Sequence, residues 1–498
     1  MRRPALSWER AVPLLYMLLA VGVAGTATFE PASVGLGLAA LIAGGVLVLR
    51  HPAWGVYALI LSVPLQREIT IAGKFTATQA VTAGLLLAWV CWIAVGRRKL
   101  FVPPFAVALA AYLTVMLASL IVATSLSDGA AEVSRWLVVL LAYVIIVNTI
   151  ETRAQVIGMV FCFCVGLAAE AALGLQQVIT RQVPPSFFVG QGGGPEDMSP
   201  RAFGTIGAPN SYAGYLNMTL AVAIALAVYL LIHLERRRPK PPAGFPVVLA
   251  LGAVGLAGIG AAAMVFSYSR GGLIGLGFGL LAMVVALGRR AAPALAGLAV
   301  GAALIGALAV GGALPASVTQ RVSDTLSQLQ IFDVRGIEPT PETFNQLERL
   351  AHWQAAWGMY LSDPWLGIGI GNFNFRYTDF AVAEWPVSRG HAHNYFLQAL
   401  SETGLFGLAA YLALVGAAVV GGWRAIRRAM REGPGIDAAL LVGAFGVVFS
   451  VIGHSVFENL HVLNMGIQWA AVIALFWIVP RLAGAAETAA VRGTGAAG

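Results

Sequence analysis

The residues best suited to chemistry close the one long polar segment of a very apolar chain. There Arg389, His391 and His393 lead into an apolar run that begins a helix. Asn394 is predicted to cap that helix, which places the imidazole of His393 beside the positive end of the helix dipole. A neutral imidazole that can accept a proton is favoured at such a position. Glu402 lies about 180° round the helix from His393, so we do not expect these two side chains to be partners.

Arginine supplies the second group of candidate residues. Arg270 lies in residues 267–272, where one predicted span ends and the next begins. A charge at that depth is costly unless it is paired or faces a polar cavity. Its planar guanidinium suits phosphate oxygens, and the glycines beside it would let the backbone approach a ligand closely. Arg201 opens a glycine-punctuated segment and is a similar candidate. The alternative for both is a side chain that snorkels to the membrane interface.

Other polar residues of the same face are weaker candidates. Arg349 is expected on an amphipathic helix at about residues 341–361, and Arg389 and His391 precede His393. The spacing of the two histidines could suggest a metal site. Because no neighbouring carboxylate or cysteine cluster completes such a site, we predict no bound metal.

Two further groups surround these candidates. His352 is predicted to be structural and to pair with Glu348, one helical turn earlier. The glycine-rich residues 367–371 are predicted to be a turn-rich connection and not a dinucleotide fingerprint, because no strand precedes them. Near the end of a later span lies a cluster that is predicted to line the same cavity: His454, Glu458, Asn459 and His461.

Composition places these residues in a helical membrane protein. The chain has 498 residues, of which 58% are hydrophobic and only 11% are charged, with a mean hydropathy of +0.80. Soluble domains carry about 25% charged residues. The net charge of +8 is explained by basic cytoplasmic loops, so no nucleic-acid partner is expected. The three cysteines lie in apolar runs and form neither a disulfide framework nor a zinc site.

The predicted architecture is an all-α polytopic membrane protein with about 12–14 transmembrane helices. Residues 1–480 form a single integral membrane domain, and residues 481–498 form a short cytoplasmic tail. The stretch 53–66 is short enough to be a partial or re-entrant span. The candidate spans lie near residues 11–28, 32–49, 53–66, 78–96, 103–125, 134–150, 155–180, 211–234, 244–267, 271–288, 293–313, 405–422, 437–456 and 463–480.

Basic residues alternate along the chain in a way that predicts its orientation. Short loops and tails on one side hold most of the lysines and arginines, which makes that side cytoplasmic and places both termini there. The outer side carries the loop 181–210 and the long loop 314–392. Two amphipathic helices are predicted in the long loop, near residues 318–329 and 341–361. The candidate site residues all belong to this outer side.

Three segments of the chain, taken in order, resemble the O-antigen ligase/polymerase superfamily of bacterial inner-membrane glycosyltransferases. They are residues 269–272, residues 349–373 with their Asp-Pro and glycine-rich end, and residues 393–407. Their order and the long loop between them match as well, so the family-like core covers about residues 200–410. The chain departs from a typical ligase in its length, in two extra predicted spans and in a large outer loop.

The resemblance implies a cofactor-free, metal-free transferase in the bacterial inner membrane, with its active site on the periplasmic side. The donor would be a glycan linked to undecaprenyl diphosphate. Arg201 and Arg270 would grip the diphosphate, and His393 would act as base or position the acceptor. Further substrate contacts are expected from Arg349, Arg389, His391 and Asn394.

The acceptor is left open by the sequence. A ligase passes the glycan to lipid A–core, a polymerase to another lipid-linked repeat, and a third group to protein hydroxyls. The same donor-side arginines would serve all three, and we favour ligase-type transfer. The alternative from another class is a transporter or flippase of an anionic lipid-linked substrate. It predicts internal repeats and charges at the bilayer midplane, and the sequence shows neither.

Overall fold

The computed structural model describes most of the chain between residues 48 and 495. The described residues are 48, 50–66, 70–71, 75–94, 100–183, 200–236, 245–288, 330–340, 343–433 and 435–495. Within them the chain is helical apart from one antiparallel hairpin, formed by β1 (Thr70–Ile71) and β2 (Phe75–Thr76). The all-α prediction is therefore confirmed.

The described part of the chain forms fourteen α-helices, which are numbered here in chain order. Short 3₁₀ helices follow the first at Pro64–Gln66 and the third at Leu120–Val122. The α-helices are α1 (Pro52–Ser62), α2 (Ala77–Ala94), α3 (Pro104–Ser119), α4 (Leu126–Thr149), α5 (Arg153–Ile179), α6 (Pro209–Asn217), α7 (Leu220–Arg236), α8 (Phe245–Phe266), α9 (Arg270–Ala286), α10 (Phe344–Ser362), α11 (Phe373–Phe380), α12 (Tyr395–Glu432), α13 (Ile436–Ser455) and α14 (Gly466–Gly495).

Eight helical stretches in the described residues are long and apolar enough to cross a membrane. They are α3 with its 3₁₀ extension, α4, α5, α6 continued by α7, α8, α12, α13 and the first part of α14. The chain is therefore a multi-pass membrane protein. Helices α1, α2 and α9 are apolar but shorter. The predicted spans 11–28 and 293–313 lie outside the described residues and 32–49 almost wholly so, which leaves the total span count a prediction.

Helices α13 and α14 lie at the centre of the bundle. Residues 465–476, which include the start of α14, are all buried. Helix α13 packs against α7, α9, α12 and α14. Because α13 is central, the loop that follows it emerges in the middle of one end of the bundle. Helix α14 continues beyond Pro480 to Gly495, so most of the predicted tail 481–498 is helical.

The end of the bundle where α13 stops is called here the site end. Helices α3, α5 and α8 also stop there, and α4, α6, α9 and α12 begin there. Contacts between segments distant in sequence show this: Gln177 near the end of α5 donates to the Gly204 carbonyl (3.1 Å). At the opposite end Arg153 at the start of α5 pairs with Asp437 at the start of α13.

Helices α10 and α11 cover the site end. Helix α10 corresponds to the amphipathic helix predicted at 341–361, and Asp363 is its C-cap, as expected from the Asp-Pro sequence. Its apolar face buries Leu347, Leu350, Ala351, Ala355 and Met359. The other predicted amphipathic helix, 318–329, lies outside the described residues. Helix α12 begins well before the predicted span 405–422, because its first turns run across the site end before a break at Gly404.

Candidate active site

The N-terminus of α12 positions His393. As predicted, Asn394 caps the helix: its Oδ1 accepts hydrogen bonds from the backbone N–H groups of Phe396 (3.0 Å) and Leu397 (3.1 Å). His393 has a φ of +52°, a left-handed conformation that is uncommon for a residue with a Cβ. Its backbone N–H donates to Nδ1 of His391 (3.1 Å). This tight turn brings the two imidazole rings together, with their centroids 4.3 Å apart.

A carboxylate from a distant part of the chain completes the group. Glu458 lies in the loop between α13 and α14. Its Oε1 lies 3.2 Å from Nε2 of His391 and 3.4 Å from Nδ1 of His393. The backbone N–H of Asn459 donates to the same oxygen (3.1 Å). Glu458 is only 4% exposed, and a carboxylate so deeply buried is stable only with partners of this kind.

These contacts define where the protons lie on the two rings. Because Nδ1 of His391 accepts the N–H of His393, a neutral His391 carries its proton on Nε2, which faces Glu458. On His393 the nitrogen that faces the carboxylate is Nδ1. A proton on Nδ1 leaves Nε2 as a bare acceptor. Both ring nitrogens of His393 are buried and form no hydrogen bond with the described residues. Because Nδ1 faces the carboxylate, Nε2 is the nitrogen available to a bound substrate.

The contact between His393 and Glu458 is long for a hydrogen bond at 3.4 Å. Catalytic hydrogen bonds are often loose before substrate binds and tighten in the complex. The positive φ of His393 adds a locally strained backbone, a feature that clusters at active sites. Together these observations favour a catalytic role for His393 over that of a capped structural histidine.

The charge states of this group follow from its surroundings. Burial acts to raise the pKa of Glu458, but His393, His391 and Arg349 lower it, and the net direction is downward. Glu458 therefore stays ionised. Burial first, and then His393, lowers the pKa of His391 to about 4, against the opposing effect of Glu458. At neutral pH His391 is accordingly a neutral donor to Glu458.

Arg201 is held in the connection that leads into α6. Its Nε donates to the carbonyl of Ser267 (2.9 Å), and its Nη2 donates to Oδ1 of Asn210 (3.4 Å). The N–H of the next residue, Ala202, donates to the carbonyl of Phe266 (2.9 Å). These bonds tie the segment to the C-terminal end of α8. Arg201 is thereby fixed beside the start of α9.

Arg270 is the first residue of α9, after the N-cap Ser269. The sequence suggested that the glycines beside Arg270 leave room for a ligand, and this interpretation is wrong for Gly271. A Cβ on Gly271 would lie 2.8 Å from Cβ of Phe457. The space is used for close packing of α9 against the end of α13. That packing places Arg270 next to the loop that carries Glu458.

Three arginines from separate elements meet beside the His391–His393–Glu458 group. Burial first, and then the charges of Arg349 and Arg270, lower the pKa of Arg201 to about 10. Burial also lowers the pKa of Arg349, with Glu458 acting in the opposite direction. Buried charges that affect one another in this way lie in the same region of the site end. Guanidinium groups gathered in this way suit a phosphate-bearing anion.

Arg389 and His352 fix the long loop to α10. Nε of Arg389 pairs with Oε1 of Glu348 (2.7 Å), and its backbone N–H donates to Nε2 of His352 (3.1 Å). Nδ1 of His352 donates to the Glu348 carbonyl (2.7 Å), and its ring stacks on Tyr377. His352 thus has the structural environment expected, although it contacts the carbonyl of Glu348 and not the carboxylate. The predicted substrate contact Arg389 lies beside the site but is already paired with a protein carboxylate.

His391, His393 and Glu458 also form a group that could hold a metal ion, since their ligand atoms lie within 4.8 Å of one another. The sequence argument that no carboxylate completes the histidine pair is therefore wrong. Two imidazoles and a carboxylate are a suitable donor set for Zn²⁺. The positive charge of Arg349 disfavours a bound cation, because it acts on both Glu458 and His391.

Residues 367–371 position the start of α12 by backbone contacts. The N–H of Ile368 donates to the carbonyl of Ser401 (3.0 Å), and the N–H of Ile370 donates to Oγ of Ser119 (3.1 Å). Gly369 has a φ of +95°, and a Cβ there would overlap Ala123. The glycine-rich stretch is therefore a packed connection between α12 and the end of α3, as the turn-rich prediction implied.

The structure thus brings together most of the residues that sequence reasoning selected. Those that meet at the site end are Arg201, Arg270, Arg349, His391, His393 and Asn394, with Arg389 beside them. Glu402 is no partner of His393: its Oε1 accepts the N–H of Phe373 (2.9 Å).

The late cluster of the sequence divides into separate roles. Glu458 reaches the two histidines, a pairing that the sequence did not predict. His461 instead accepts or donates a hydrogen bond with the Tyr411 hydroxyl (3.1 Å) in an aromatic core. The only sequence signal for Glu458 was a carboxylate placed at the outer end of a span. Its partner could not be identified without the packing of α13.

Comparison with known proteins bears on the same region. Residues 255–412 match the family model described as O-antigen ligase, Wzy_C. The match includes Arg270, Arg349 and His393, whereas Arg201 and Glu458 lie outside it. It overlaps most of the family-like core inferred from the motifs. No curated protein matches the chain.

Proposed function

Because the match over residues 255–412 makes this chain a member of the O-antigen ligase-like superfamily, we propose that it transfers a glycan from undecaprenyl diphosphate to an acceptor hydroxyl. Membership implies a glycosyltransferase-like enzyme of the ligase or polymerase type. The donor, the acceptor, the mechanism and the side of the membrane are our proposal. One observation carries it: three converging arginines stand beside a histidine with an unpartnered nitrogen and a buried carboxylate.

The arginines are assigned to the donor. Arg201, Arg270 and Arg349 come from three separate elements and raise one another's electrostatic free energy through repulsion. A bound diphosphate would relieve that repulsion and would be held by charge-assisted hydrogen bonds. Negative charge grows on the diphosphate as it leaves the sugar. The same guanidinium groups would stabilise that charge in the transition state.

His393 is assigned to proton transfer. The acceptor hydroxyl gives its proton to Nε2 of His393 while its oxygen forms the new bond to the anomeric carbon. The bond from that carbon to the diphosphate oxygen breaks, and its electron pair leaves with undecaprenyl diphosphate. Glu458 holds the proton on Nδ1 and stabilises the imidazolium that forms. Direct attack inverts the anomeric centre, and a product that retains the donor configuration would contradict this step.

The reaction is placed on the periplasmic side of a bacterial inner membrane. The basic clusters that predict the cytoplasmic side include Arg424, Arg427 and Arg428, which lie near the C-terminal end of α12. The candidate site lies at the N-terminal end of the same helix. By the positive-inside rule, the site faces outward and both termini face the cytoplasm.

No metal is assigned to this chemistry. The diphosphate leaving group already carries the activation that the transfer needs. The guanidinium groups can neutralise its charge without a cation, and Arg349 disfavours a cation beside Glu458. Transfer is therefore expected to continue in the presence of EDTA.

The experiment that tests the proposal is glycan transfer by the full-length protein in proteoliposomes that contain undecaprenyl-diphosphate glycan. Three acceptors would be offered separately: lipid A–core, a second lipid-linked glycan and a hydroxyl-bearing peptide. A single addition to lipid A–core is the expected result, whereas a ladder of products would identify a polymerase. Movement of the donor across the bilayer with no transfer to any acceptor would overturn the proposal in favour of a flippase.

A further inference from the structure

A second polar compartment adjoins the His391–His393–Glu458 group. It is a cavity of about 380 Å³ between α3, α4, α12 and the segment before α11. That volume lies in the range of about 300–1,000 Å³ that is usual for small-molecule sites. Its polar lining residues include Asp128, Glu132, Arg135, His391, Gln398 and Glu402.

The cavity meets the proposed reaction centre at one wall. That wall includes Gly390, His391 and Asn459, so it touches the histidine turn and the residue that follows Glu458. The ring of His391 lies 4.3 Å from the ring of His393. Arg201, Arg270 and Arg349 are not among the described residues that line the cavity. The cavity therefore touches the histidine turn but, among the residues that the structure describes, not the three arginines.

The two regions differ in charge. The cavity is lined by three carboxyl groups, on Asp128, Glu132 and Glu402, and by one guanidinium, on Arg135. That guanidinium is already paired with Glu132. Among the described lining residues no unpaired cation is left to hold a diphosphate or any other strongly anionic group. It offers acceptor oxygens to a ligand that carries many hydroxyl groups.

The positions of these groups are fixed by the protein. Oδ2 of Asp128 accepts a hydrogen bond from the Ser125 hydroxyl (2.7 Å), and Glu402 accepts the N–H of Phe373 (2.9 Å). Each of these carboxyl groups has acceptor lone pairs beyond those used. A hydroxyl-rich ligand would meet oriented acceptors without a large rearrangement. This is the arrangement expected of a preformed sugar-binding site.

We propose that this cavity, named here the acceptor chamber, binds the terminal sugar of the acceptor and selects an uncharged, hydroxyl-rich sugar. The proposal rests on the proposed function and extends it. The diphosphate of the donor lies on the arginine side of the histidines, and the acceptor sugar lies on the carboxylate side. The attacking hydroxyl reaches His393 past the wall formed by His391. A sugar that bears phosphate is excluded from the chamber.

Binding can be tested without catalysis, on the full-length protein in nanodiscs by saturation-transfer NMR. The probes are the methyl glycosides of glucose, galactose, mannose and N-acetylglucosamine, together with glucose 6-phosphate. Ala131 lines the chamber at an exposed position, so the larger side chain of Ala131→Trp obstructs its mouth. Leu137 lies on the same helix with its side chain exposed, so Leu137→Trp is the matched control.

We expect at least one neutral glycoside to bind to the wild type and to Leu137→Trp, and to lose its signal in Ala131→Trp. Glucose 6-phosphate should give no signal that depends on Ala131. In the transfer assay Ala131→Trp should raise the acceptor KM about tenfold or more and leave the donor KM unchanged. The proposal would be overturned if no neutral glycoside binds to the wild type, or if the binding signals of Ala131→Trp and the wild type are equal.

Donor binding separates this inference from the proposed function. Undecaprenyl diphosphate binding would be measured on the same nanodiscs. If the donor binds and is transferred while the glycosides give no Ala131-dependent signal, only the acceptor chamber is refuted. If the glycosides bind in the chamber but no acceptor receives a glycan, the proposed function is refuted and the sugar site stands.

Discussion

Glu458 gives the two histidines their chemical character. It lies within 3.4 Å of a nitrogen on each ring, and it is ionised because His393, His391 and Arg349 outweigh the effect of its burial. A carboxylate in this position orients the His393 ring and leaves Nε2 to accept a proton. Nε2 of His391 contacts the same carboxylate oxygen of Glu458.

Glu458→Gln tests that role. The amide keeps the size of the side chain but removes the charge that stabilises the imidazolium. We expect kcat for glycan transfer to fall about a hundredfold, in line with the usual contribution of a general base. The donor KM should change little. Glu338→Gln is the control, because Glu338 lies exposed in the long loop. An unchanged kcat in Glu458→Gln would show that His393 works without this partner.

Two imidazoles at the site make stability depend on pH. Burial first, and then His393, lowers the pKa of His352 to about 3, while the nearby Arg389 also lowers it and the Glu348 carbonyl raises it. The pKa of His391 is lowered to about 4. In the unfolded chain both rings take up protons near pH 6.5. Below that pH the unfolded state binds more protons, so stability is complete above about pH 6.5 and is lost as the pH falls towards 4 and 3.

Thermal unfolding in nanodiscs measures this effect. The wild-type midpoint should fall when the pH is lowered from about 7.5 to about 5. In His352→Gln the fall should be smaller but not absent, because His391 remains. If the midpoints of both proteins fall by the same amount, protonation of His352 does not contribute to the pH dependence of stability.

At the scale of elements, the site depends on how the segment before α11 packs. Gly369 has a φ of +95°, and a Cβ there would overlap Ala123 at the end of α3. Gly336 also has a positive φ, of +71°, but a Cβ there would meet nothing within 4 Å. The two glycines share the backbone strain and differ only in the clash.

Gly369→Ala and Gly336→Ala therefore form a matched pair. Strain alone should lower the free energy of unfolding by about 1 kcal/mol in Gly336→Ala, with transfer unchanged. In Gly369→Ala the free energy of unfolding should fall further, because residues 367–371 also hold the start of α12. Its transfer rate should fall with its stability. Equal losses in the two variants, measured by thermal unfolding and transfer, would show that the packing at Gly369 does not position the site.

Local sequence signals predicted some of these elements well. The Asn394 cap and the Asp363 stop follow from local rules, and both are observed. The break at Gly404 and the long first part of α12 were not predicted, because they depend on the contact between Leu405 and the Pro364 carbonyl. The pairing of Glu458 with the histidines likewise depends on the position of α13. Such contacts link segments far apart in the chain, and a single sequence does not specify them.

At the scale of the whole molecule, hydropathy predicted the all-α membrane class, and the family match agrees with it. The sequence placed Arg201, Arg270 and Arg349 on the same outer side, the first two near the ends of spans and Arg349 on an amphipathic helix of the long loop. The sidedness of the membrane stays a prediction from basic residues. The orientation of the protein determines whether a periplasmic acceptor can reach the site.

Cysteine labelling tests the orientation. Cys91, Cys162 and Cys164 would be replaced, and a single cysteine introduced as Arg335→Cys or Arg431→Cys. A membrane-impermeant maleimide added to intact spheroplasts should label position 335, in the long loop, and spare position 431, at the end of α12. After lysis both should react. Labelling of position 431 alone in intact cells would reverse the orientation and contradict a periplasmic reaction.

The proposed mechanism depends on arginines that bind the diphosphate and a histidine that takes the proton. It is tested most directly by transfer rates in proteoliposomes with EDTA present. The rates of His393→Ala and Arg270→Ala would be compared with wild type and Arg335→Ala, which removes a charge from an exposed part of the same face. We predict that the transfer rate falls about a hundredfold or more in His393→Ala and Arg270→Ala and does not fall in Arg335→Ala. Wild-type rates in folded His393→Ala or Arg270→Ala, or loss of wild-type activity with EDTA, would contradict the account.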